Sequence, residues 1–287
     1  MGHTNAMPTL DAATDRRTRS DRRSTAQSPI AGELGVALER GEIEILFQPQ
    51  FASSDGRLVG AEALARWQHP RRGRIGADKL FAIAARAGLV EPLSHHIARS
   101  ALATAGNWPV PLRLSLNVTA ADVTAGNFAE NIARAVADAG FPPEHLTLEI
   151  TEQVLLADLD RTALRLRRLA DIGIRIELDD FGAGFCNFDY LKRLPIHAIK
   201  LDRSMIDGIA EDPRDLAVLR GIVAMARALD MEVCAEGVER EEQRAVIARE
   251  GCASWQGFHG GKPLPAAAFA ALLGADLWQA PVGSHQY

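Results

Sequence analysis

Acidic and amide side chains recur at the ends of short apolar segments along this chain. They are Glu62, Asn117, Glu149, Glu152, Asp179, Asp180, Asp202, Glu236 and Glu239, with one lysine, Lys200, among them. A buried carboxylate is costly unless it is paired or binds a cation, and the few basic residues nearby cannot neutralise so many acids. Oxygen-rich clusters are typical ligands of Mg²⁺ or Mn²⁺. Any one of these acids alone could equally serve a salt bridge or a helix cap, but the joint pattern predicts a divalent metal site.

The segments that carry these side chains alternate between strand-like and helix-like patterns. The predicted strands cover residues 43–51, 57–63, 112–118, 146–150, 174–179, 198–201 and 232–235, with a short one near Ser254. The predicted helices cover residues 31–40, 127–140, 159–172, 215–229 and 241–250. Such alternation implies right-handed βαβ units and a mostly parallel sheet.

The number of these units and the length of 287 residues favour an α/β fold of the TIM-like (β/α)₈ barrel type over an open sheet. Asp55-Gly56 predicts a hairpin turn between the first two strands, so we expect the first strand to be antiparallel. Glu62 is then expected to end the second strand. In a barrel, the C-terminal ends of the strands open on one rim, where active sites form, and this rim would collect the acids.

The composition is that of an ordinary globular protein, with 47% hydrophobic and 24% charged residues. The formal net charge of -5 argues against a nucleic-acid-binding protein, so neither DNA nor RNA is expected as a partner. Cys186, Cys234 and Cys252 show no paired spacing, which excludes a disulfide framework and favours a reducing compartment. No apolar run approaches the ~18 residues of a membrane span, and residues 1–28 contain no signal-peptide core. We therefore expect a cytoplasmic protein without membrane insertion.

Residues 1–29 are rich in small polar, acidic and arginine side chains and contain few large apolar ones. Such a segment cannot bury enough surface to offset its ordering entropy, so we expect a disordered, basic N-terminal tail. Within it, the run DRRTRSDRR at residues 15–23 is either a solvated tail or an electrostatic tether to an acidic partner. We expect one catalytic domain over residues 30–277 and a C-terminal tail over residues 278–287.

Eight short motifs occur in order through most of the chain. They are FQP at 47–49, EAL at 62–64, LSLNVT at 114–119, LEITE at 148–152, DDFGAGF at 179–185, IKLD at 199–202, AEGVE at 235–239 and QGF at 256–258. A three-residue match alone carries no weight, whereas the ordered set is highly specific. On these motifs the chain resembles the EAL family of cyclic di-GMP phosphodiesterases, which implies a hydrolase of bacterial signalling.

The resemblance also implies a role for each matching position. A two-metal centre with Mg²⁺ or Mn²⁺ would use Glu62, Asn117, Glu149 and Asp179 for one ion, and Asp179, Asp180 and Glu236 for the other. The implied catalytic residues are Lys200, Glu236, Glu62 and Asp179, with Lys200 orienting the attacking water and Glu236 assisting its deprotonation. The implied substrate-binding residues are Gln48, Leu64, Arg66, Asp202, Glu239 and Gln256. Glu152 would anchor the loop after Asp180, which the family uses to couple dimerisation to metal binding, and a homodimer is implied.

The loop after the two aspartates departs from the family pattern GTGYSS and has the sequence GAGFCN at residues 182–187. Ala183 and Phe185 lack the hydroxyl groups of the threonine and tyrosine in the family pattern. We expect this change to affect the rate and the coupling of dimerisation to the metal centre more than metal binding itself. The resemblance thus implies hydrolysis of cyclic di-GMP to linear 5'-pGpG. Two alternatives stay open: a non-hydrolysing cyclic di-GMP receptor or interaction scaffold, and a phosphodiesterase for a different dinucleotide. Degenerate family members usually lose several metal-binding acids, and this chain has all of them.

Overall fold

A computed structural model describes residues 29–155, 159–183 and 188–274 of the chain. Residues 1–28 of the predicted N-terminal tail, the predicted C-terminal tail and residues 184–187 of the altered loop lie outside the described residues. The strands are β1 Ile43–Ala52, β2 Leu58–His69, β3 Gly73–Ile75, β4 Arg113–Val118, β5 Leu146–Thr151, β6 Arg175–Phe181, β7 Ala198–Leu201, β8 Glu232–Ala235, β9 Ser254–Trp255 and β10 Leu264–Pro265. The helices are α1 Pro29–Arg40, α2 Ala77–Ala87, α3 Val90–Ala105, α4 Ala120–Thr124, α5 Phe128–Asp138, α6 Glu152–Leu155, α7 Leu159–Ala170, α8 Phe188–Arg193, α9 Arg203–Ile206, α10 Pro213–Ala228, α11 Glu241–Glu250 and α12 Ala266–Gly274. None of these described helices has both the length and the apolar character needed to cross a membrane.

Eight strands of the ten-stranded sheet close into a barrel. The order around the ring is β1-β9-β8-β7-β6-β5-β4-β2, and pairing of β2 with β1 closes it. Within this ring, the seven strands β2, β4, β5, β6, β7, β8 and β9 run parallel to one another. β1 is antiparallel to both of its neighbours. β3 and β10 extend the sheet beside β2 and β1. The predicted (β/α)₈ barrel and its antiparallel first strand are therefore confirmed.

The strands separate an apolar layer from a polar interior. Leu148 and Ile150 of β5, like Ile176 and Leu178 of β6, are buried in the hydrophobic core. Successive residues of a strand point to opposite faces, so the residues between these point into the barrel. The sequence therefore places its apolar side chains under the helices and its polar side chains, such as Glu149, inside the ring.

The strand that carries Glu62 is longer than the sequence predicts. The expectation that Glu62 ends the second strand is wrong, because β2 continues to His69. Ala65 and Trp67 of this continuation are buried, and both β1 and β3 supply pairing partners to it. Glu62 thus lies in the middle of its strand and is only 5% exposed.

Two helices between β3 and β4 were not predicted. α2 buries Leu80 and Ile83, and α3 buries Leu93 and Ile97, so each has the apolar stripe of a helix that packs on a barrel. Gly88, with a φ of 67°, ends α2 in the left-handed conformation that glycine adopts without strain. The other predicted elements are present at the expected places.

Candidate metal centre

The barrel interior brings acids from distant parts of the sequence together. Backbone pairing sets Asn117 of β4 beside Glu149 of β5, and Glu149 beside Glu177 of β6. Lys200 on β7 contacts both Glu62 on β2 and Glu149 on β5, although these three strands are not neighbours in the ring. Glu62, Glu149, Glu177 and Lys200 are buried and face one another inside the barrel, whereas Asn117 is exposed.

Two consecutive aspartates lie near the end of β6, and a backbone irregularity brings both to this site. Alternation along a regular strand would place Asp179 and Asp180 on opposite faces of the sheet. Asp180 instead has a φ of 55°, in the left-handed region that aspartate tolerates better than most residues. The pairing of β6 with β7 also shifts register between Leu178 and Phe181. As a result, carboxylate oxygens of Asp179, Asp180 and Glu236 all lie within 4.8 Å of one another.

Lys200 lies at the centre of these carboxylates and is only 1% exposed. Its Nζ is 2.7 Å from Glu236 Oε1, 2.9 Å from Glu149 Oε2, 3.3 Å from Glu62 Oε2 and 3.4 Å from Asp179 Oδ1. One positive charge against four carboxylates leaves a formal charge of −3 (1 − 4) when all of them are ionised. Such an excess of buried negative charge needs protons or further cations to neutralise it.

Amide side chains hold two of the carboxylates in place. Asn117 Nδ2 donates to Glu62 Oε1 at 2.6 Å, and Gln256 Nε2 donates to Glu62 Oε2 at 2.6 Å and to Glu236 Oε1 at 2.7 Å. Gln50 Nε2 in turn donates to Gln256 Oε1 at 3.1 Å. This chain of bonds fixes the orientation of Gln256 and, through it, of the two glutamates.

Burial raises the pKa of Asp180, Glu149 and Glu236, and the shift is largest for the last two. It raises the pKa of Glu236 to about 7, with Lys200 opposing the shift and Glu62 adding to it. It also raises the pKa of Glu149 well above the ordinary value, and the negative charge of Glu62 acts in the same direction. Without added cations, these two groups therefore favour the protonated form more than an ordinary glutamate does.

Glu62 and Lys200 stay charged although both are buried. Burial acts to raise the pKa of Glu62, but the charge of Lys200 and the hydrogen bonds from Gln256 and Asn117 outweigh it and hold the pKa below its usual range. Burial acts to lower the pKa of Lys200, but the surrounding carboxylates, Asp179 first, raise it well above the ordinary value. Lys200 thus keeps its positive charge beside the negative charge of Glu62.

The donor set fits a divalent cation with a preference for oxygen ligands. Glu149 Oε1 and Asp179 Oδ1 are buried and accept no hydrogen bond, although Lys200 Nζ lies 3.4 Å from the latter. Beside them, Asp179, Asp180 and Glu236 offer three oxygens at metal-binding separations. Carboxylate oxygens suit Mg²⁺ or Mn²⁺, whereas zinc sites are mostly built from histidine and cysteine. The residues present can therefore hold a metal ion.

Three residues predicted to bind substrate lie on β1 and β2 close to Glu62. Gln48 pairs with Glu62 in the sheet, and its Nε2 donates to the carbonyl oxygen of Gly261 at 3.5 Å. Leu64 and Arg66 follow Glu62 at intervals of two and are half-buried, so they share its face of the strand. Arg66 Nη1 donates to the backbone carbonyl of Ala65 at 2.8 Å.

The other predicted residues lie at strand ends around the site. Asp202 begins α9 by accepting from the backbone N–H of Ser204 at 3.0 Å and from its hydroxyl at 2.5 Å, and these bonds lower the pKa of Asp202. Glu239 is exposed and pairs with Arg203 Nη1 at 2.8 Å. Glu152 has a buried Oε1 without a partner, and burial raises its pKa. Its predicted contact with the loop involves residues 184–187, which the structure does not describe.

Polar residues that sequence reasoning missed also line the interior. Gln50 is 8% exposed and donates to Gln256 and to Ser115 Oγ, the latter at 3.3 Å. The spacing of two between Gln48 and Gln50 was a usable signal, because it puts both on one face of the strand. Glu177 precedes Asp179 by the same interval, and burial raises its pKa.

Known proteins are similar to this chain in sequence over most of its length. The EAL domain family matches residues 31–263. The cyclic di-GMP phosphodiesterase NbdA of Pseudomonas aeruginosa is 35% identical over 264 residues, which cover 90% of this chain and 34% of NbdA. The cyclic di-GMP phosphodiesterase RocR of the same organism is 34% identical over 243 residues, which cover 84% of this chain and 62% of RocR. The chain thus spans about a third of the length of NbdA and less than two thirds of RocR.

Solved structures agree with the sequence relatives. The structure of the PaMucR phosphodiesterase in complex with c-di-GMP superposes with a TM-score of 0.79 at 33% sequence identity. The match covers 84% of this chain and 100% of that chain. Sequence, fold and motif order point to one family, and the chain belongs to the EAL domain family.

Proposed function

We propose that this chain is a metal-dependent phosphodiesterase that hydrolyses cyclic di-GMP to linear 5'-pGpG. The observation that carries the proposal is the group of Asp179, Asp180 and Glu236 oxygens within 4.8 Å of one another, beside the buried ammonium of Lys200. Membership of the EAL domain family, and relatives named as cyclic di-GMP phosphodiesterases, support the choice of substrate. Cleavage of one phosphodiester bond would lower the level of this second messenger.

Two Mg²⁺ or Mn²⁺ ions are the proposed cofactors. The residues that would hold them are Glu62, Asn117, Glu149 and Asp179 for one ion, and Asp179, Asp180 and Glu236 for the other. When bound, such ions activate water and polarise the oxygens of a phosphodiester. The free lone pairs on Glu149 Oε1 and Asp179 Oδ1 support this assignment, because buried carboxylate oxygens otherwise find a partner.

Lys200 and Glu236 would handle the water and its proton. The ammonium of Lys200 has three N–H donors, and its burial strengthens its attraction for the charge that develops on the phosphate. Glu236 would accept a hydrogen bond from the attacking water and assist its deprotonation. Both Lys200 and Gln256 contact Oε1 of Glu236, which leaves Oε2 to take the proton.

The remaining predicted residues would bind the dinucleotide. They are Gln48, Leu64, Arg66, Asp202, Glu239 and Gln256. Arg66 uses one N–H of its guanidinium to donate to the carbonyl oxygen of Ala65. A parallel pair of N–H groups is therefore left for a phosphate. Glu239 and Asp202 offer acceptors at the rim, which suit the N–H donors of a guanine base.

We also propose that the catalytic domain covers residues 30–277 and that it works as a cytoplasmic homodimer. A non-hydrolysing cyclic di-GMP receptor is the alternative. The feature that favours it is the altered loop, of which Gly182 and Ala183 lie within the described residues. The full carboxylate set around Lys200 favours the enzyme instead.

Incubation of the purified protein with cyclic di-GMP and Mg²⁺ or Mn²⁺, followed by chromatography, tests the proposal. We expect pGpG as the product, no turnover in EDTA and poor turnover with Ca²⁺, which prefers longer and more numerous oxygen contacts. Full activity in EDTA would exclude the metal mechanism. Binding without hydrolysis at any metal concentration would favour the receptor.

A further inference from the structure

One arginine connects two corners of the barrel rim that carry predicted substrate-binding acids. Asp202 follows β7, and Glu239 lies in the loop after β8. Arg203 begins α9 directly after Asp202, and its Nη1 lies 2.8 Å from Glu239 Oε1. Its Nε also lies 3.4 Å from Oδ1 of Asp207, at the other end of this short helix. The guanidinium therefore joins the corner after β7 to the corner after β8.

The stem of Arg203 packs tightly against the loop that carries Glu239. Gly237 has a φ of 68°, and a Cβ there would lie 2.5 Å from Cγ of Arg203 and 2.6 Å from its Cβ. Glycine permits both the left-handed backbone and this close approach. The arginine stem thus lies on the turn between Glu236 and Glu239, and the guanidinium at its end reaches the second of these acids.

The backbone of this loop is held by contacts other than the ion pair. Val238 is fully buried, its N donates to Gln256 O at 3.1 Å, and its O accepts from His259 N at 3.0 Å. Across the ranges that the structure describes, the carboxylate of Glu239 has Arg203 as its one ion-pair partner. The guanidinium therefore acts on the side chain of Glu239 more than on the path of the loop.

An ion pair in this place affects orientation more than stability. The side chain of Arg203 is 53% exposed and that of Glu239 is 37% exposed, so solvent screens their attraction and the pair adds little to the free energy of unfolding. A glutamate side chain that is free to rotate must lose that freedom when it binds a ligand. A side chain that is already held in the binding orientation avoids this entropic cost.

We propose that Arg203 is a positioning residue, which holds the Glu239 carboxylate in the orientation that binds the substrate. The inference rests on the proposed function, in which Glu239 accepts from the N–H donors of a guanine base. Arg203 is not among the residues that the motifs imply, because the motif IKLD ends one residue before it.

Steady-state kinetics with cyclic di-GMP in Mg²⁺, together with equilibrium binding in Ca²⁺, test this role. Arg203→Met keeps the stem that packs on Gly237 and removes the guanidinium. We expect KM and Kd to rise roughly 3- to 10-fold, the effect of about one lost hydrogen bond, with little change in kcat. Arg203→Lys keeps a positive charge near Glu239 and should recover most of the affinity. Arg168→Met is the matched control, because it breaks a similarly exposed ion pair with Glu130 on the outer helices and should change neither value.

A double-mutant cycle with Glu239→Ala separates positioning from direct contact with the ligand. If Arg203 acts through Glu239, Arg203→Met should weaken binding little further once Glu239→Ala is present. Additive losses would place the guanidinium on the ligand itself and overturn the positioning role. Wild-type KM and Kd in Arg203→Met would also overturn it.

Metal binding shows whether the effect of Arg203→Met is confined to Glu239. Glu236 lies on the same loop, so we expect the Kd for Mn²⁺ and the Tm in EDTA to match those of wild type. A weaker Mn²⁺ site would show that the guanidinium holds the whole loop, and would overturn the inference. Wild-type protein that neither binds nor cleaves cyclic di-GMP would refute the proposed function itself, a result distinct from normal wild-type binding with an unaffected Arg203→Met.

Discussion

At the scale of single residues, Asp179 is the acid that both proposed ion sites share. Asp179→Asn keeps the shape of the side chain and removes its charge, so we expect kcat to fall at least roughly 100-fold, or about 2.7 kcal/mol. Glu62→Ala should have a similar effect. Initial rates measure the loss, and circular dichroism checks that each variant is folded. Unchanged rates in both folded variants would refute the ligand assignment.

Lys200 offers a test of charge balance in the barrel. Its ammonium lies within 3.4 Å of four carboxylates, so Lys200→Met leaves buried negative charge without compensation. Removing one partner of a buried ion pair typically costs about 3–5 kcal/mol of unfolding free energy. Mg²⁺ should restore more stability to the variant than to wild type, because the cation replaces the missing charge. Urea unfolding with and without Mg²⁺ measures this, and equal stability of the two proteins in EDTA would contradict it.

The protonation of Glu236 predicts how metal affinity depends on pH. Its pKa of about 7 is above the ordinary value of 4.5, so the metal-free protein holds a proton there below neutral pH. A proton and a cation compete for one carboxylate, and metal affinity must therefore rise as the pH rises through about 7. We expect the Kd for Mn²⁺ to fall roughly tenfold between about pH 6 and pH 8. Glu236→Gln, which cannot titrate, should flatten this dependence in a calorimetric titration.

The side chains of the centre could be named from the sequence, but their contacts could not. Glu149 and Lys200 belong to motifs and end short strands, which identifies them as candidates. Their 2.9 Å contact depends on the closure and stagger of the whole ring, because the two residues lie on strands that are not neighbours. Gln50 was missed because a glutamine in an apolar strand gives no chemical signal by itself.

At the scale of elements, the start of α4 is a compact hydrogen-bonding unit. Asp122 Oδ2 accepts from Thr119 N at 2.9 Å and from Ser94 Oγ at 2.9 Å, and Asp122 N donates to Thr119 Oγ1. Asp122→Ala would leave these donors unpaired in a buried place, so we expect a loss of about 1–3 kcal/mol in unfolding free energy. The exposed Thr124→Ala, at the other end of α4, is the control and should cost less than about 0.5 kcal/mol. Equal stability of the two variants in urea would show that the cap is unimportant.

The predicted ends of elements are wrong where pairing with distant strands overrides the local sequence pattern. The run after Glu62 contains alanine, arginine and glutamine, which are poor strand signals, yet β1 and β3 pair with it as far as His69. The left-handed turn at Asp180 is equally hidden, because most aspartates in a strand-like segment adopt extended backbone. This turn brings the second aspartate to the metal centre.

At the scale of the whole molecule, the barrel combines an apolar outer layer with a charged interior. The alternation of strands and helices predicts the outer layer, and the hairpin at Asp55-Gly56 predicts the reversed first strand. Both signals are local in the sequence. The fold could therefore be predicted from the sequence, whereas the side-chain contacts inside the barrel could not. The interior carries more negative charge than Lys200 can balance, so the cation-free fold is less stable than its apolar core alone would make it.

Divalent cations should therefore stabilise the entire fold, independently of catalysis. A ligand at about 100 times its Kd adds about 2.7 kcal/mol to the unfolding free energy, provided that it binds only the folded state. For a domain of this size, that gain corresponds to a rise of roughly 5–10 °C in Tm. Circular dichroism melts in EDTA and in saturating Mg²⁺ measure the shift.

Variants separate this site-specific effect from general salt effects. Asp179→Asn combined with Asp180→Asn removes two of the three clustered carboxylates and should abolish most of the Mg²⁺-dependent rise in Tm. Val218→Ala lies on an exposed face of α10 and should keep the full rise. Because Tm reports binding rather than turnover, the shift is expected whether the protein is an enzyme or a receptor that retains its metal ligands. A wild-type protein that melts at the same temperature in EDTA and in saturating Mg²⁺ or Mn²⁺ would contradict a metal centre inside the barrel.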